Sequence, residues 1–114
     1  MMMIGTVAFV SDDEQVIHLT EAALPGLAGI EGYSHLIVLT RAVLDPRFAP
    51  DDHGVFSVRN GARPSGINVW IVEVLGRDDE LLKMRRLRAP LGSEVIDLMP
   101  YEQRDAIPLA VEPK

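Results

Sequence analysis

Two arginines in a loop-like stretch are the residues of this chain best suited to binding an anion. Arg59 and Arg63 stand four residues apart within residues 59–66, RNGARPSG. The two glycines, the Asn-Gly pair and the proline of this stretch predict a shaped loop. Such a loop presents backbone N–H groups and guanidinium forks to a carboxylate or a phosphate. A β-hairpin connection with solvated arginines fits the same spacing, so both interpretations stay open.

Asp97 and Tyr101 form a second group of candidates, and we take them as the candidate catalytic residues. Asp97 interrupts the apolar residues of segment 95–98, and a carboxylate that is buried there requires a partner. An ion pair with Arg59 or Arg63 satisfies that need as well as a ligand contact does. Pro100 fixes the chain direction before Tyr101, whose hydroxyl could donate a hydrogen bond to a ligand.

Other kinds of chemistry find little support in the residues. His18, His35 and His53 lack metal-ligand spacing, and the chain has no cysteine, so we expect no metal site. No nucleophile elbow and no phosphate-binding glycine loop is present. His35 opens an apolar segment, where a structural role is favoured over a catalytic one.

Short apolar segments separated by turn residues must position these candidates. They recur at a spacing of about ten residues, which is typical of an all-β barrel or sandwich. The expected strands are residues 4–10, 15–20, 34–42, 55–58, 67–75, 81–87 and 94–98. We predict a mainly antiparallel, small closed β-barrel with one or two short helices. One of these helices should begin at Thr20 as N-cap.

Two further features of the strands and the whole chain bear on this fold. The consecutive apolar residues 36–39 predict a strand that is buried on both faces. The 114 residues predict one domain, residues 1–114. No apolar run is long enough for a membrane span, and no secretory signal is evident. With no cysteine, these features make a cytoplasmic protein the expectation.

Four blocks in order along the chain resemble the TsaA-like (TrmO-type) family. They are residues 4–7 (IGTV), 27–39 (LAGIEGYSHLIVL), 54–67 (GVFSVRNGARPSGI) and 95–101 (VIDLMPY). The resemblance implies a small barrel that binds S-adenosyl-L-methionine and acts as a homodimer. It also implies methylation of threonylcarbamoyl-adenosine in tRNA.

By motif position, the resemblance also implies a set of cofactor-binding residues. They are Phe56, Ser57, Arg59, Arg63, Ser65, Gly66, Ile67 and Leu98. Arg59 or Arg63 would hold the carboxylate of the cofactor. Backbone groups around Gly66 would bind the edges of its adenine, and Leu98 or Phe56 would cover the adenine face.

Departures from the family pattern support two alternatives to a tRNA methyltransferase. Asn60-Gly61, Ser65-Gly66, Asn68 and Met99 replace the residues usual at their positions. One alternative is an S-adenosyl-L-methionine-binding module that has lost catalysis. The other is a methyltransferase with a small-molecule acceptor.

The charge of the chain weighs against tight binding of tRNA. Net charge is −6 and the isoelectric point about 4.9, whereas phosphate contacts dominate nucleic-acid affinity. The main basic cluster, Lys83, Arg85, Arg86 and Arg88, lies on an expected strand. Strand alternation places Lys83 and Arg85 on one face and the other two on the opposite face. A single groove therefore cannot use all four unless the strand is bulged or two subunits contribute.

Overall fold

The computed structural model describes residues 3–42, 56 and 65–105, and within them the chain forms a closed six-stranded barrel. The strands are β1 (Gly5–Val10), β2 (Gln15–Leu19), β3 (His35–Arg41), β4 (Ile67–Asp78), β5 (Leu81–Arg85) and β6 (Glu94–Pro100). Around the barrel they follow the order β1-β2-β5-β4-β3-β6. All neighbouring pairs are antiparallel, which confirms the predicted fold class.

Alternate residues of the strands fill the interior of the barrel. The buried residues of the core include Val7, Ile17, Leu36, Val38, Val72, Leu82, Met84 and Val95. Full burial of each such side chain stabilises the fold by about 1.5–3 kcal/mol. Gly5 is required where β1 meets β2, because a Cβ there would lie 2.7 Å from the His18 carbonyl oxygen.

Two short 3-10 helices between β2 and β3 cover one end of the barrel. They are η1 (Glu21–Leu27) and η2 (Ile30–Gly32), and we call the segment 21–32 the plug. Leu27 is buried in the core, and Leu24 and Ile30 pack against it. Thr20 precedes η1 as predicted, but its side chain makes no capping hydrogen bond. Pro25 lies within η1 and lacks the N–H that a continuing α-helix would use.

The prediction that β3 is buried on both faces is wrong for this chain. Leu36 and Val38 point inward and are fully buried, whereas Ile37 and Leu39 point outward and are only partly buried. The alternation of a strand places neighbouring side chains on opposite faces, and no second layer of the described residues covers the outside. An apolar outer surface results.

The prediction that β4 ends near Gly76 is also wrong. The strand runs on to Asp78, and its pairing with β5 shifts between Val74 and Gly76. An irregularity of this kind lets a strand accommodate a glycine without ending. The reversal falls instead at residues 79–80, where Asp79 has a φ of 51°.

A left-handed residue changes the expected arrangement of the basic cluster. Arg86 follows β5 with a φ of 73°, which interrupts the alternation of side chains. Leu87 is consequently buried, as Leu82 and Met84 are, while Arg86 and Arg88 are exposed together with Arg85. Simple alternation predicted that Arg86 and Arg88 lie on the face opposite Lys83 and Arg85. That prediction is wrong, because the alternation is interrupted at Arg86.

Several predicted segments lie outside the described residues. These are the strand at 55–58 apart from Phe56 and the loop residues 59–64. Among the described residues, no helix is long and apolar enough to cross a membrane.

Candidate functional site

A cleft of about 610 Å³ opens between the plug and the second half of β6, and we call it the edge cleft. β1 pairs with β6 only at Gly5–Val95 and Thr6–Glu94. Residues 97–100 are therefore paired with β3 on one side, and their other edge faces the cleft. The lining residues are Ile4, Leu19, Ala22, Ala23, Gly26, Leu27, Ala28, Gly29, Ile30, Tyr33, Leu36, Asp97, Leu98, Met99 and Pro100.

The chemistry of the edge cleft combines a smooth apolar wall with one carboxylate. The plug contributes mainly alanine and glycine, so a flat ligand can approach its backbone closely. Among the described residues of the lining, Asp97 is the only acidic one, and it is exposed rather than buried. Its Oδ1 accepts a hydrogen bond of 2.8 Å from the Leu98 N–H. The other carboxylate oxygen has no hydrogen-bond partner among the described residues, so it can receive a donor or cation.

The structure separates two groups of the predicted cofactor residues. Leu98 lines the edge cleft, whereas Ser65, Gly66 and Ile67 lie at the far end of β3 and β4. There the Ala42 N–H donates to the Gly66 carbonyl at 2.7 Å. Leu98 pairs with Val38 of β3, and Ala42, which contacts Gly66, follows Val38 by four residues. Leu98 and Gly66 are thus separated by about 13 Å along the direction of the strand.

The remaining predicted cofactor residues cannot be placed at either end. Ser57, Arg59 and Arg63 lie outside the described residues, as would any ion pair between Asp97 and these arginines. Phe56 is described and is 79% exposed.

Tyr101, the second predicted catalytic residue, lies beside the edge cleft and not in its lining. Its N–H donates to the His35 carbonyl at 3.2 Å, and the two ring centroids are 6.4 Å apart. The Ser34 Oγ lies 2.9 Å from His35 Nδ1. Asp97 pairs with Leu39 and Tyr101 contacts His35, four residues earlier in the chain, so the two candidates lie apart and only Asp97 lines the cleft.

Sequence reasoning missed the plug as a wall of the site. Alanines and glycines carry no catalytic pattern, and the sequence predicted only a short helix beginning at Thr20 in this part of the chain. In the structure Gly29 has a φ of 86°, a left-handed conformation that glycine adopts readily. Among the described residues, no group of three or more potential ligands could hold a metal ion.

A family model for the tRNA-methyltransferase O N-terminal domain matches residues 6–105. The chain belongs to this family. It is 39% identical over 99 residues to a Methanothermobacter thermautotrophicus protein named "Probable S-adenosyl-L-methionine-binding protein", covering 80% of this chain and 72% of that one. An Archaeoglobus fulgidus protein named "S-adenosyl-L-methionine-binding protein" is 35% identical over 99 residues, with 80% and 71% covered.

A crystal structure of TrmO from Pseudomonas aeruginosa shares the fold of this family member. The TM-score is 0.78 at 24% sequence identity, and the match covers 96% of this chain but only 58% of that one. Another Archaeoglobus fulgidus relative is named "Probable S-adenosyl-L-methionine-binding protein" and is 42% identical over 84 residues. The match covers 67% of this chain but only 23% of the relative. Family members thus extend well beyond the part that this chain spans.

Proposed function

We propose that this protein is an S-adenosyl-L-methionine-dependent methyltransferase whose cofactor binds in the edge cleft. The observation that carries the proposal is the position of residues 97–100. This part of the VIDLMPY block, which resembles the family, forms one wall of the edge cleft. The names of two archaeal relatives add support for the cofactor.

The residues of the edge cleft fit this cofactor in size and in chemistry. Its volume lies within the usual range of about 300–1,000 Å³ for small-molecule sites. The apolar wall of the plug suits the adenine face and the hydrocarbon parts of the cofactor. The Asp97 carboxylate suits its amine, its sulfonium charge or its ribose hydroxyls.

Methyl transfer from a sulfonium requires little acid–base chemistry from the protein. When bound, the cofactor supplies an activated methyl group attached to a sulfonium. The task of the chain is to hold the acceptor in line with that methyl group and to exclude water. A cleft with few ionisable side chains is consistent with this requirement.

For the acceptor, we place threonylcarbamoyl-adenosine in tRNA slightly ahead of a small molecule. The left-handed Arg86 leaves three arginines exposed near one end of β5. Arg85, however, lies 3.9 Å from Glu73 and also donates to the Asp13 carbonyl within an acidic turn. We therefore expect weak tRNA binding whose salt dependence reflects only a few phosphates.

We also propose that the protein forms a homodimer through the outer surface of β6, β3 and β4. Two rows of paired residues there, Met99–Ile37–Ile71 and Asp97–Leu39–Val69, form what we call the outer apolar face. Met99, Val69 and Ile71 are 37–43% exposed. Met99 and Asp97 also line the edge cleft, so a second copy on this face would border the cofactor.

Two measurements test the proposed function and separate it from the alternatives. Isothermal titration with S-adenosyl-L-methionine should give saturable binding at one site per chain. A methyl-transfer assay with bulk tRNA and the radiolabelled cofactor should then label the tRNA. Binding without transfer to tRNA would favour the binding module or a small-molecule acceptor. Absence of cofactor binding by the folded protein would refute the proposal.

A further inference from the structure

A second cleft, of about 500 Å³, lies between the end of the plug and the last part of β4. It is lined by residues 30–34, which lead from the plug into β3, by residues 74–77 of β4 and by Leu82. Two of these residues are glycines, Gly32 and Gly76, and a Cβ at either would meet no atom within 4 Å. The Val74 N–H donates to the Ser34 carbonyl at 2.8 Å. The second cleft is therefore an open space whose two walls are joined by a backbone hydrogen bond.

The two clefts meet at Ile30 and Tyr33, which line both of them. Tyr33 is 41% exposed, so its ring offers an apolar surface between the clefts. Methyl transfer requires the acceptor atom to lie in contact with the methyl group of the cofactor. An acceptor that reaches a cofactor in the edge cleft can therefore extend past Tyr33 into the second cleft.

The charge of the second cleft comes from Arg77 and Glu31. Arg77 Nε donates to the Asp79 carbonyl at 3.0 Å, which orients the guanidinium. Its Nη1 lies 3.7 Å from Glu31 Oε1, too far for a hydrogen bond. The side chain of Arg77 is 28% exposed and that of Glu31 is 61% exposed, so the pair itself contributes little. Among the described residues, no acceptor hydrogen-bonds the terminal nitrogens of Arg77, and they can receive another carboxylate.

We propose that the second cleft binds the methyl acceptor and that Arg77 selects an acceptor that carries a carboxylate. This inference rests on the proposed function. A guanidinium offers a carboxylate two parallel N–H donors. The threonylcarbamoyl group ends in a free carboxylate, which adenosine itself lacks. Residues 78–80 beside Arg77 are all acidic, so an anion must contact the guanidinium directly to bind here. This requirement favours a small carboxylate over a run of phosphates.

Titration of the wild-type protein with the free nucleoside threonylcarbamoyl-adenosine tests the inference. Isothermal titration is carried out with S-adenosyl-L-homocysteine present, so that no methyl is transferred, and is repeated without it. The methyl ester of the nucleoside lacks the negative charge and is the matched ligand. We expect the nucleoside to bind about 10-fold more tightly than the ester. Equal affinities, or no binding of the nucleoside, would overturn the inference.

Two variants distinguish carboxylate binding from a structural ion pair. Arg77→Gln and Glu31→Gln both remove the contact between these side chains. Arg77→Gln should weaken nucleoside binding about 10-fold and abolish the preference over the ester. Glu31→Gln removes a competing carboxylate and should strengthen nucleoside binding about 2- to 5-fold. Changes in the same direction, or no change in either variant, would contradict the role of Arg77.

A control variant and the cofactor itself complete the test. Arg104 pairs with Glu102 at an exposed position and lines neither cleft, so Arg104→Gln should bind the nucleoside as the wild type does. Arg77 does not line the edge cleft, and Arg77→Gln should keep the wild-type affinity for S-adenosyl-L-methionine. Circular dichroism checks the fold of each variant. Absence of cofactor binding by the wild type would contradict the proposed function. Cofactor binding without a preference for the carboxylate would contradict only this inference.

Discussion

At the scale of single residues, Asp97 is a candidate from the sequence that also lines the edge cleft in the structure. It interrupts an otherwise apolar strand, and the structure places it on the open edge of β6. One carboxylate oxygen is held by the next N–H along the chain, which fixes the orientation of the side chain. The fixed carboxylate is the charged group that the edge cleft offers to a cationic ligand.

Replacing Asp97 should therefore weaken the cofactor complex. We expect Asp97→Asn to reduce the affinity for S-adenosyl-L-methionine about 10- to 100-fold, since a charge-assisted contact contributes about 1.5–3 kcal/mol. Isothermal titration measures this change. Asp12→Asn removes the same charge from an exposed turn and is the matched control. Equal affinities in the two variants would place the cofactor away from Asp97.

The loop arginines give a second prediction at this scale. Arg59→Ala or Arg63→Ala should weaken cofactor binding by about 1.5–3 kcal/mol if that arginine holds the carboxylate. Isothermal titration of both variants, with circular dichroism as a check of the fold, measures it. If both bind with wild-type affinity, neither arginine belongs to the site.

At the scale of elements, the strands were predictable and their irregularities were not. Short apolar segments bounded by turn residues identify β1, β2 and β6, because a strand that lines the core leaves such a segment in the sequence. The continuation of β4 through Gly76, where its pairing with β5 shifts, and the left-handed Arg86 leave no such mark in the sequence. The plug wall was missed for a related reason, because small residues reveal close packing only once their partners are known.

The conformation of Arg86 gives a prediction about stability. A non-glycine residue with a φ of 73° carries strain that glycine avoids. We expect Arg86→Gly to stabilise the fold by about 0.5–1 kcal/mol, after the entropy that glycine loses on folding. Arg88→Gly is the control at an exposed position without positive φ and should destabilise the fold. Urea denaturation measures both, and a destabilised Arg86→Gly would contradict the strain.

At the scale of the whole molecule, the barrel surface has an apolar region. The outer apolar face lies on β6, β3 and β4, and the exposed arginines follow β5, the strand next to β4. Contiguous exposed apolar patches commonly mark interaction sites. The closeness of this face to the edge cleft connects the proposed oligomeric state with the proposed cofactor site.

A charge introduced into the outer apolar face should prevent self-association. We expect wild-type protein to elute as a dimer and Ile71→Lys as a folded monomer, because a buried unpaired charge is costly at an interface. Leu91→Lys places the same charge at a 66% exposed position in the turn before β6 and should leave the dimer intact. Size-exclusion chromatography with light scattering measures all three masses. Dimeric Ile71→Lys would exclude this face as the interface.

A crystal structure of the protein with S-adenosyl-L-methionine would show directly where the cofactor binds. We expect ligand density in the edge cleft, between the plug and residues 97–100, with the Asp97 carboxylate in contact with the ligand. Density confined to the end of the barrel near residues 65–67, with the edge cleft empty, would contradict it.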